Sequence, residues 1–511
     1  MNKVILLSNT IKYLKAKQVY YRLFYFIRNK FRKLFDFKYN FIRQSNSVIL
    51  RLDNSIVNSY SYSYSSCIDK NFNFLNLSYK FDNYIDWNFN SYGKLWTYNL
   101  TYFEYLKEKD DVKLIYDFIE NIETIKDGLE PFPISLRGIN WIKILTKFNI
   151  KDKKIDDSLY AQYYILLDNL EYHLLGNHLL ENGFSLLFGA YYFEDEKLYI
   201  KSKEILQEEL EEQILEDGGH FELSPMYHQL MLFRLLDCIN LVQNNSYKNY
   251  ELLKFLKQKA SLMLGWLKNI TYNNGNIPLF NDSTTKIAPT SNELFKYASS
   301  LKLDIKHSVL NLSGYRKILK EDYECILDVG NIGASYIAGH AHADTFNFEL
   351  YIKDKPFIVD TGLSTYEIND TRFYERSTKA HNTVEVSEKN SSEVWSGFRV
   401  ANRADIIELE EKDNFIKATH NGYKKYNIFH KRIWVFEDKK IILEDILSKD
   451  IEAVFRLHFH PDITKDMIKN KIINQEYIIK TYSYAKEFNK IKEALVLEIR
   501  FKQRLKVEIK I

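Results

Sequence analysis

The hydrophobic pattern of this chain changes period once, and that switch limits the folds open to it. From Trp96, the stretches LWTYNLTYFEYLKE, PFPISLRGINWIKIL and AQYYILLDNLEYHLL space apolar residues three and four apart, the period of a helix with one buried face. The pattern continues through Ile200 to Leu215, Pro225 to Val242 and Leu252 to Leu267, with no strand alternation between them. After about residue 305 it inverts. Tyr315 to Leu319, Glu324 to Val329, Asn382 to Val386, Arg403 to Leu409, Phe415 to Thr419, Lys431 to Phe436, Lys440 to Ile446, Ala453 to His458 and Ala494 to Ile499 read as short strands, many separated by turn residues. The expectation is a helical domain followed by a sandwich or layered-sheet domain, with the boundary near 300 to 312.

Within the second half, Gly339 to Gly362 gathers the most chemistry. Phe346, Phe348, Leu350 and Ile352 alternate with polar or amphipathic neighbours, the period of a half-buried strand. Lys353-Asp354-Lys355 interrupts the run, and Pro356 to Val359 restarts it, so a hairpin is expected with His340, His342, Asp344 and Asp360 at its ends.

Composition narrows the function classes. The 511 residues are 45% hydrophobic and 27% charged, which is globular and long enough for two or more domains. A net charge of +3 from 71 basic and 68 acidic residues argues against a generic nucleic-acid binder. Three widely spaced cysteines form neither a disulfide framework nor a metal knuckle and read as buried thiols. The N-terminal Val4 to Leu7 run is too short for a signal-peptide core, and no stretch reaches the ~20 apolar residues of a membrane span. A soluble, cytoplasmic protein follows as the default. Lys12 to Lys33 interleaves Lys and Arg with Tyr, Phe and Leu. It reads as a basic amphipathic helix packed on its own domain, or as one resting peripherally on an anionic membrane or envelope surface. Residues from about 60 to 85, rich in Ser, Tyr and Asn, read as an irregular connector.

Three polar clusters stand out. In Gly176 to Ser185, the residues His178, Glu181, Asn182, Ser185 and Gly189 fall three and four apart and form a polar stripe on an otherwise apolar helix. Such a stripe faces solvent or lines a polar groove; the absence of Lys and Arg favours the groove. In Asp217 to His228, Ser224-Pro225 is an N-cap followed by proline, which puts Tyr227 in a first helical turn. There the helix dipole would draw a phenol pKa of ~10 downward, towards use as a base, although a packing tyrosine is the other reading. The third cluster joins the hairpin to Tyr366, Arg372, Arg376 and His381. His340, His342, Asp360 and His381 are candidate zinc ligands, but a turn at Lys353 to Lys355 sets Asp360 opposite Phe348 or Glu349 rather than His342, and paired structural histidines in a loop remain the alternative.

The ordered series WTYNLTYF, PFPISLRGINWIKI, NHLLENGF, DGGHFELSPMYH, FNDST, GHAHADTFNFEL, FIVDTG and RSTKAHNTV resembles the heparinase II/III-like family of polysaccharide lyases. The resemblance implies a basic irregular segment over 1–85, an incomplete (α/α) toroid over 86–305 and an antiparallel β-sandwich over 306–511, with a cleft between the last two. It implies β-elimination from an acidic, uronate-bearing polysaccharide or oligosaccharide. Tyr227, His178, Glu181 and His340 match the catalytic positions, while Asn177, Asn182, His228, Arg137, Trp141 and Arg376 are implied substrate contacts. His342, Asp360 and His381 are the implied ligands of a structural zinc. Without an evident export signal, the chain looks like members associated with bacterial surface-polysaccharide production. The rival readings are a non-catalytic glycan-binding or assembly factor and a glycoside hydrolase using Glu181 and Glu222.

Overall fold

The computed structural model describes residues 3–39, 47–53, 64–248, 250–473 and 476–511. Two helices, Lys3–Ile11 and Ala16–Leu34, precede a small three-stranded antiparallel sheet of Ser66–Ile68, Asn71–Phe74 and Leu77–Lys80. The irregular connector expected here is therefore ordered from residue 64 on; its residues 60–63 lie outside the described residues. Two two-residue turns, Asp69-Lys70 and Leu75-Asn76, have positive φ at both positions, which suits the twist of tight hairpins. Phe72 and Phe74 then point to one side and are fully buried near Tyr105 and Trp96.

The helical half runs from Lys94–Tyr102 to Ser291–Ser300. Its central element is the helix Gly176–Phe193, buried at every residue except His178. The polar stripe thus faces the interior rather than solvent. Ser185 donates to the Ser135 carbonyl at 2.8 Å, and Ser202 of the next helix donates to the Gly183 carbonyl at 2.9 Å. Close approach needs small residues here: a Cβ on Gly189 would stand 2.8 Å from the Tyr163 ring, and one on Gly138 would stand 2.7 Å from its hydroxyl.

Among the described residues, the C-terminal half consists of antiparallel sheets: a four-stranded toroid-facing sheet, a six-stranded sheet, a second four-stranded sheet and a two-stranded ribbon of Val394–Trp395 and Arg399–Val400. The toroid-facing sheet takes the order Tyr315–Leu319, Tyr323–Asp328, Phe348–Ile352, Lys355–Ile358. The expected hairpin forms, with Ile352 opposite Lys355 and a register shift between Leu350 and Tyr351. Contrary to the half-buried expectation, Phe348 to Tyr351 are buried on both faces. The reason is that alternate residues serve two cores. Phe348 and Leu350 join Trp434 and Phe455 in the sandwich, whereas Tyr315, Ile326 and Tyr351 join the toroid, with Tyr351 stacked on Tyr272 at 3.8 Å. Glu349 accepts from the Leu279 amide at 3.0 Å, and burial lifts its pKa to about 8. Strands Ile478–Glu487 and Arg504–Lys510 were not anticipated; in the first, Lys480 and Thr481 are both exposed side by side and interrupt the alternation.

Inside the sandwich, fully buried Arg432 donates to both Asp445 oxygens, at 2.7 and 3.0 Å, and to the carbonyls of Phe346 and Asn382. Removing one partner of such a pair strands the other charge. Arg432→Met should cost about 3–5 kcal/mol in denaturant unfolding. Arg504→Met, which breaks the more exposed Glu444 pair, should cost less than about 1 kcal/mol. Equal losses in the two variants would refute this assignment.

Candidate active site between the toroid and the sandwich

A cleft of about 860 Å³, counted with its open mouth, lies where toroid residues Asn177, Glu181 and Tyr227 meet Tyr366 and Phe488 of the β domain. Tyr227 is placed by its helix, Pro225–Asn244, whose N-cap Ser224 accepts from the Tyr227 amide at 3.2 Å. Its hydroxyl lies 3.2 Å from that of Tyr366, and the His340 ring lies over its own at 3.9 Å. The phenol pKa is nevertheless raised: burial outweighs the hydrogen bond from Tyr366. The downward shift expected from the helix terminus does not occur, because desolvation of the phenolate is the larger effect. Tyr227 is a neutral hydroxyl at rest.

Asp282 organises the other side. Fully buried, it receives His340 Nδ1 at 2.9 Å, His342 Nε2 at 2.8 Å and both terminal nitrogens of Arg372 at 2.5 and 2.8 Å. Burial alone would raise its pKa, but Arg372 and the two imidazoles hold the carboxyl well below the usual range. Its neighbours complete the clamp. Asn281 accepts from the His342 amide, and Ser283 lies 2.9 Å from the N-cap hydroxyl of Ser224. Nothing in the local pattern of Phe280 to Thr284 marks Asp282 for this role.

At the toroid side, His178 faces Glu171 at 3.0 Å and packs on Phe132. Burial lowers its pKa, yet the Glu171 carboxylate more than offsets this, so the net shift is upward. Glu181 accepts from Arg234 at 2.9 Å while its Oε2 is buried without a hydrogen bond, and burial raises its pKa against that cation. Glu222, also raised by burial, accepts from the Asn177 amide at 3.2 Å, and its Oε2 lies 3.6 Å from His340 Nε2.

Five expected substrate contacts are taken out of the cleft. Asn182 is fully buried and spent on Glu171 and Ser135. His228 lies between the His220 amide and the Met263 carbonyl, with burial lowering its pKa to about 3. Arg137 holds Gln162 and the carbonyls of Thr101 and Gly128, and burial brings even this guanidinium down to about 9. Trp141 is core, between Phe103 and Phe118. Arg376 binds the carbonyls of Ala341 and Gly397, which fastens the His340 loop to its neighbour. Each belongs to a matching motif, and each serves to shape the site from behind.

The expected zinc ligands are brought together only in part. The rings of His342 and His381 are 5.3 Å apart, and His342 Nδ1 and His381 Nε2 are buried without hydrogen bonds, as ligand nitrogens would be. Asp360 is occupied: Oδ2 takes Asn347 and His381 Nδ1, and Oδ1 takes the Gly362 amide. Among the described residues, no group of three His, Cys, Asp or Glu is arranged to hold an ion. The donor set fits zinc at its histidines and lacks an open carboxylate at Asp360. Asp344, buried with Oδ2 unpartnered and raised to about 6 by burial, lies beside them.

The His178–Glu171 pair gives a direct test. Titrated by NMR, His178 should show a midpoint above the ordinary 6.5, and Glu171→Gln should bring it down. Because the folded pKa is the higher one, the pair's contribution to stability is complete below the unfolded pKa and fades as pH rises through the folded one. A midpoint below 6.5 in the unaltered protein would show that desolvation wins.

Comparison with known proteins follows the same division. Heparinase II/III N-terminus matches residues 157–302, and Heparinase II/III-like, C-terminal matches 306–495, together more than half of the chain. A heparin-sulfate lyase of Bacteroides stercoris is 24% identical over 320 residues, covering 56% of this chain and 46% of that protein. One of Pedobacter heparinus is 24% identical over 319 residues, covering 57% and 47%. The match thus spans about half the length of these relatives. Among solved structures, a heparinase III aligns over 97% of this chain and 91% of its own, with a TM-score of 0.62 at 16% identity. A heparan sulfate lyase mutant from Pedobacter heparinus aligns over 92% and 84%, at 0.55 and 17%. The fold is therefore a helical toroid followed by an antiparallel β domain, and the chain belongs to the heparinase II/III-like family.

Proposed function

We propose that this protein is a polysaccharide lyase that cleaves a uronic-acid-bearing glycan by β-elimination, in the metabolism of a bacterial surface or exopolysaccharide. The observation that carries the reading is the packing of the Tyr227 ring, whose hydroxyl meets Tyr366 at the edge of a cleft between two domains, against a His340 ring oriented by Asp282. Relatives named heparin-sulfate lyase support the reaction class.

The residues divide the chemistry as follows. An ionised Asp282 accepts the Nδ1 proton of His340, which leaves Nε2 as the basic nitrogen. Nε2 removes the C5 proton of the uronate. The electrons form the C4–C5 double bond, the C4–O bond breaks, and the departing oxygen takes the proton of neutral Tyr227. Return of a proton from His340 to Tyr227 resets the pair. The negative charge that builds on the uronate carboxylate is met by the side-chain amide of Asn177, by Glu181, whose neutral form burial favours, and by His178, whose proton Glu171 favours. Tyr227→Phe and His340→Ala should each lower formation of the ultraviolet-absorbing unsaturated product by about 10²-fold or more, with an unfolding midpoint little changed in Tyr227→Phe and lowered in His340→Ala, which removes one partner of buried Asp282. Saturated product ends, or full activity in Tyr227→Phe, would remove the lyase assignment.

The reading includes one structural zinc at His342 and His381, whose ring nitrogens are open, with Asp360 joining them by giving up its hydrogen bonds to Asn347 and His381. When bound, it supplies a cross-link between the hairpin and the turn before His381 and takes no part in bond breaking. Purified protein should hold near-stoichiometric zinc that is lost in His342→Ala and His381→Ala and kept in His340→Ala. A metal-free protein, or loss in His340→Ala alone, overturns the site.

A further inference from the structure

The N-terminal helix Ala16–Leu34 is mounted with its polar side inward. The residues turned to the toroid, Gln18, Tyr21, Tyr25, Arg28 and Arg32, recur three and four apart and are polar or amphipathic. Gln18 donates to the Leu174 carbonyl and Tyr25 to that of Leu170; Arg28 and Arg32 reach Asp168, and Tyr21 stacks on Tyr172 at 4.7 Å. The opposite side carries Val19, Leu23, Phe26, Ile27, Phe31 and Leu34, also three and four apart, between 44% and 75% exposed. Helix Lys3–Ile11 adds Val4 at 71% and Ile5 at 52%. This row is no accident of one loose side chain, and water is an unfavourable neighbour for it.

Charge identifies what covers it. The first 35 residues hold nine Lys or Arg and no Asp or Glu. Arg22, Lys30 and Lys33 are exposed beside the apolar row, and Lys30 lies over the Phe26 ring at 4.4 Å, its stem along the apolar surface and its ammonium free to rise from it. Two copies packed face to face through this row would bring cation rows together with no acid to answer them. A purely polyanionic partner would use the cations and leave the Leu, Ile and Phe side chains wet. Among the described residues, no helix is long and apolar enough to cross a membrane.

We infer that the N-terminal helices form a peripheral docking surface for an anionic phospholipid membrane, lying in the interface with the apolar row down. The segment also reaches the β domain: Trp395 donates to Thr10 at 3.0 Å, and Arg403 lies over the Tyr13 ring at 3.8 Å. Docking would therefore hold both domains at the surface, whatever reaction the cleft performs.

Full-length protein should co-sediment with phosphatidylcholine vesicles that contain phosphatidylglycerol, and not with phosphatidylcholine alone. Binding should fall with added salt, and by roughly fivefold for each of Arg22, Lys30 and Lys33 changed to Gln. A combined Leu23→Gln, Phe26→Gln, Ile27→Gln variant should fold, since these side chains are exposed, and should lose binding. No binding at low salt, equal binding to neutral vesicles, or unchanged binding of the apolar variant would each overturn the proposal. So would a vesicle-free dimer that the same apolar substitutions dissolve, because the row would then belong to a second copy.

Discussion

The site depends on a single buried carboxylate. Asp282 is shared by two imidazoles and one guanidinium, and its segment is tied to the N-cap of the Tyr227 helix. A buried ion is tolerated only when geometry and hydrogen bonding compensate its desolvation. Here the compensation comes from both halves of the molecule at once: Asp282 from the toroid side, His340, His342 and Arg372 from the β domain. Domain register and the orientation of His340 are thus one and the same interaction.

The inner sheet makes that register rigid. Its strands give alternate side chains to two different cores, so a slip of one residue would exchange the toroid set for the sandwich set. Glu349 and Arg376 from the sheet and its loops, and Arg432 from the six-stranded sheet behind it, then fix backbone around the hairpin. A mobile acid-base pair would lose much of its advantage, since proton transfer needs the partners held within hydrogen-bond reach.

How much of the site was legible varied with the residue. Tyr227 was placed correctly because Ser224-Pro225 is a local capping signal, and its proximity to His340 followed from a family resemblance rather than from any spacing. Its ionisation was not legible: the helix terminus is visible in sequence, whereas the burial that outweighs it is a sum over surrounding chain. Arg137, Trp141, Asn182, His228 and Arg376 lie in the same matching motifs as the cleft residues, yet face away from it or behind it. A motif marks a conformation and a neighbourhood, and side-chain direction within it is decided by packing. Asp282 went unassigned for the converse reason, as its four contacts come from residues 58 to 90 positions away.

Sequence alone determined the order of helical and strand-rich halves, the hairpin at Phe348–Ile358, the capped start of the Tyr227 helix and the basic amphipathic nature of the N-terminus. These are properties of local periodicity, turn chemistry and composition. Only the tertiary structure decided which face of each element is buried. It turned the stripe of helix Gly176–Phe193 inward, gave the inner sheet two cores, raised the Tyr227 pKa and set the polar side of helix Ala16–Leu34 against the toroid. The physical reason is common to all four: burial and charge pairing depend on residues distant in sequence, and their energies exceed the local preferences that a linear reading detects.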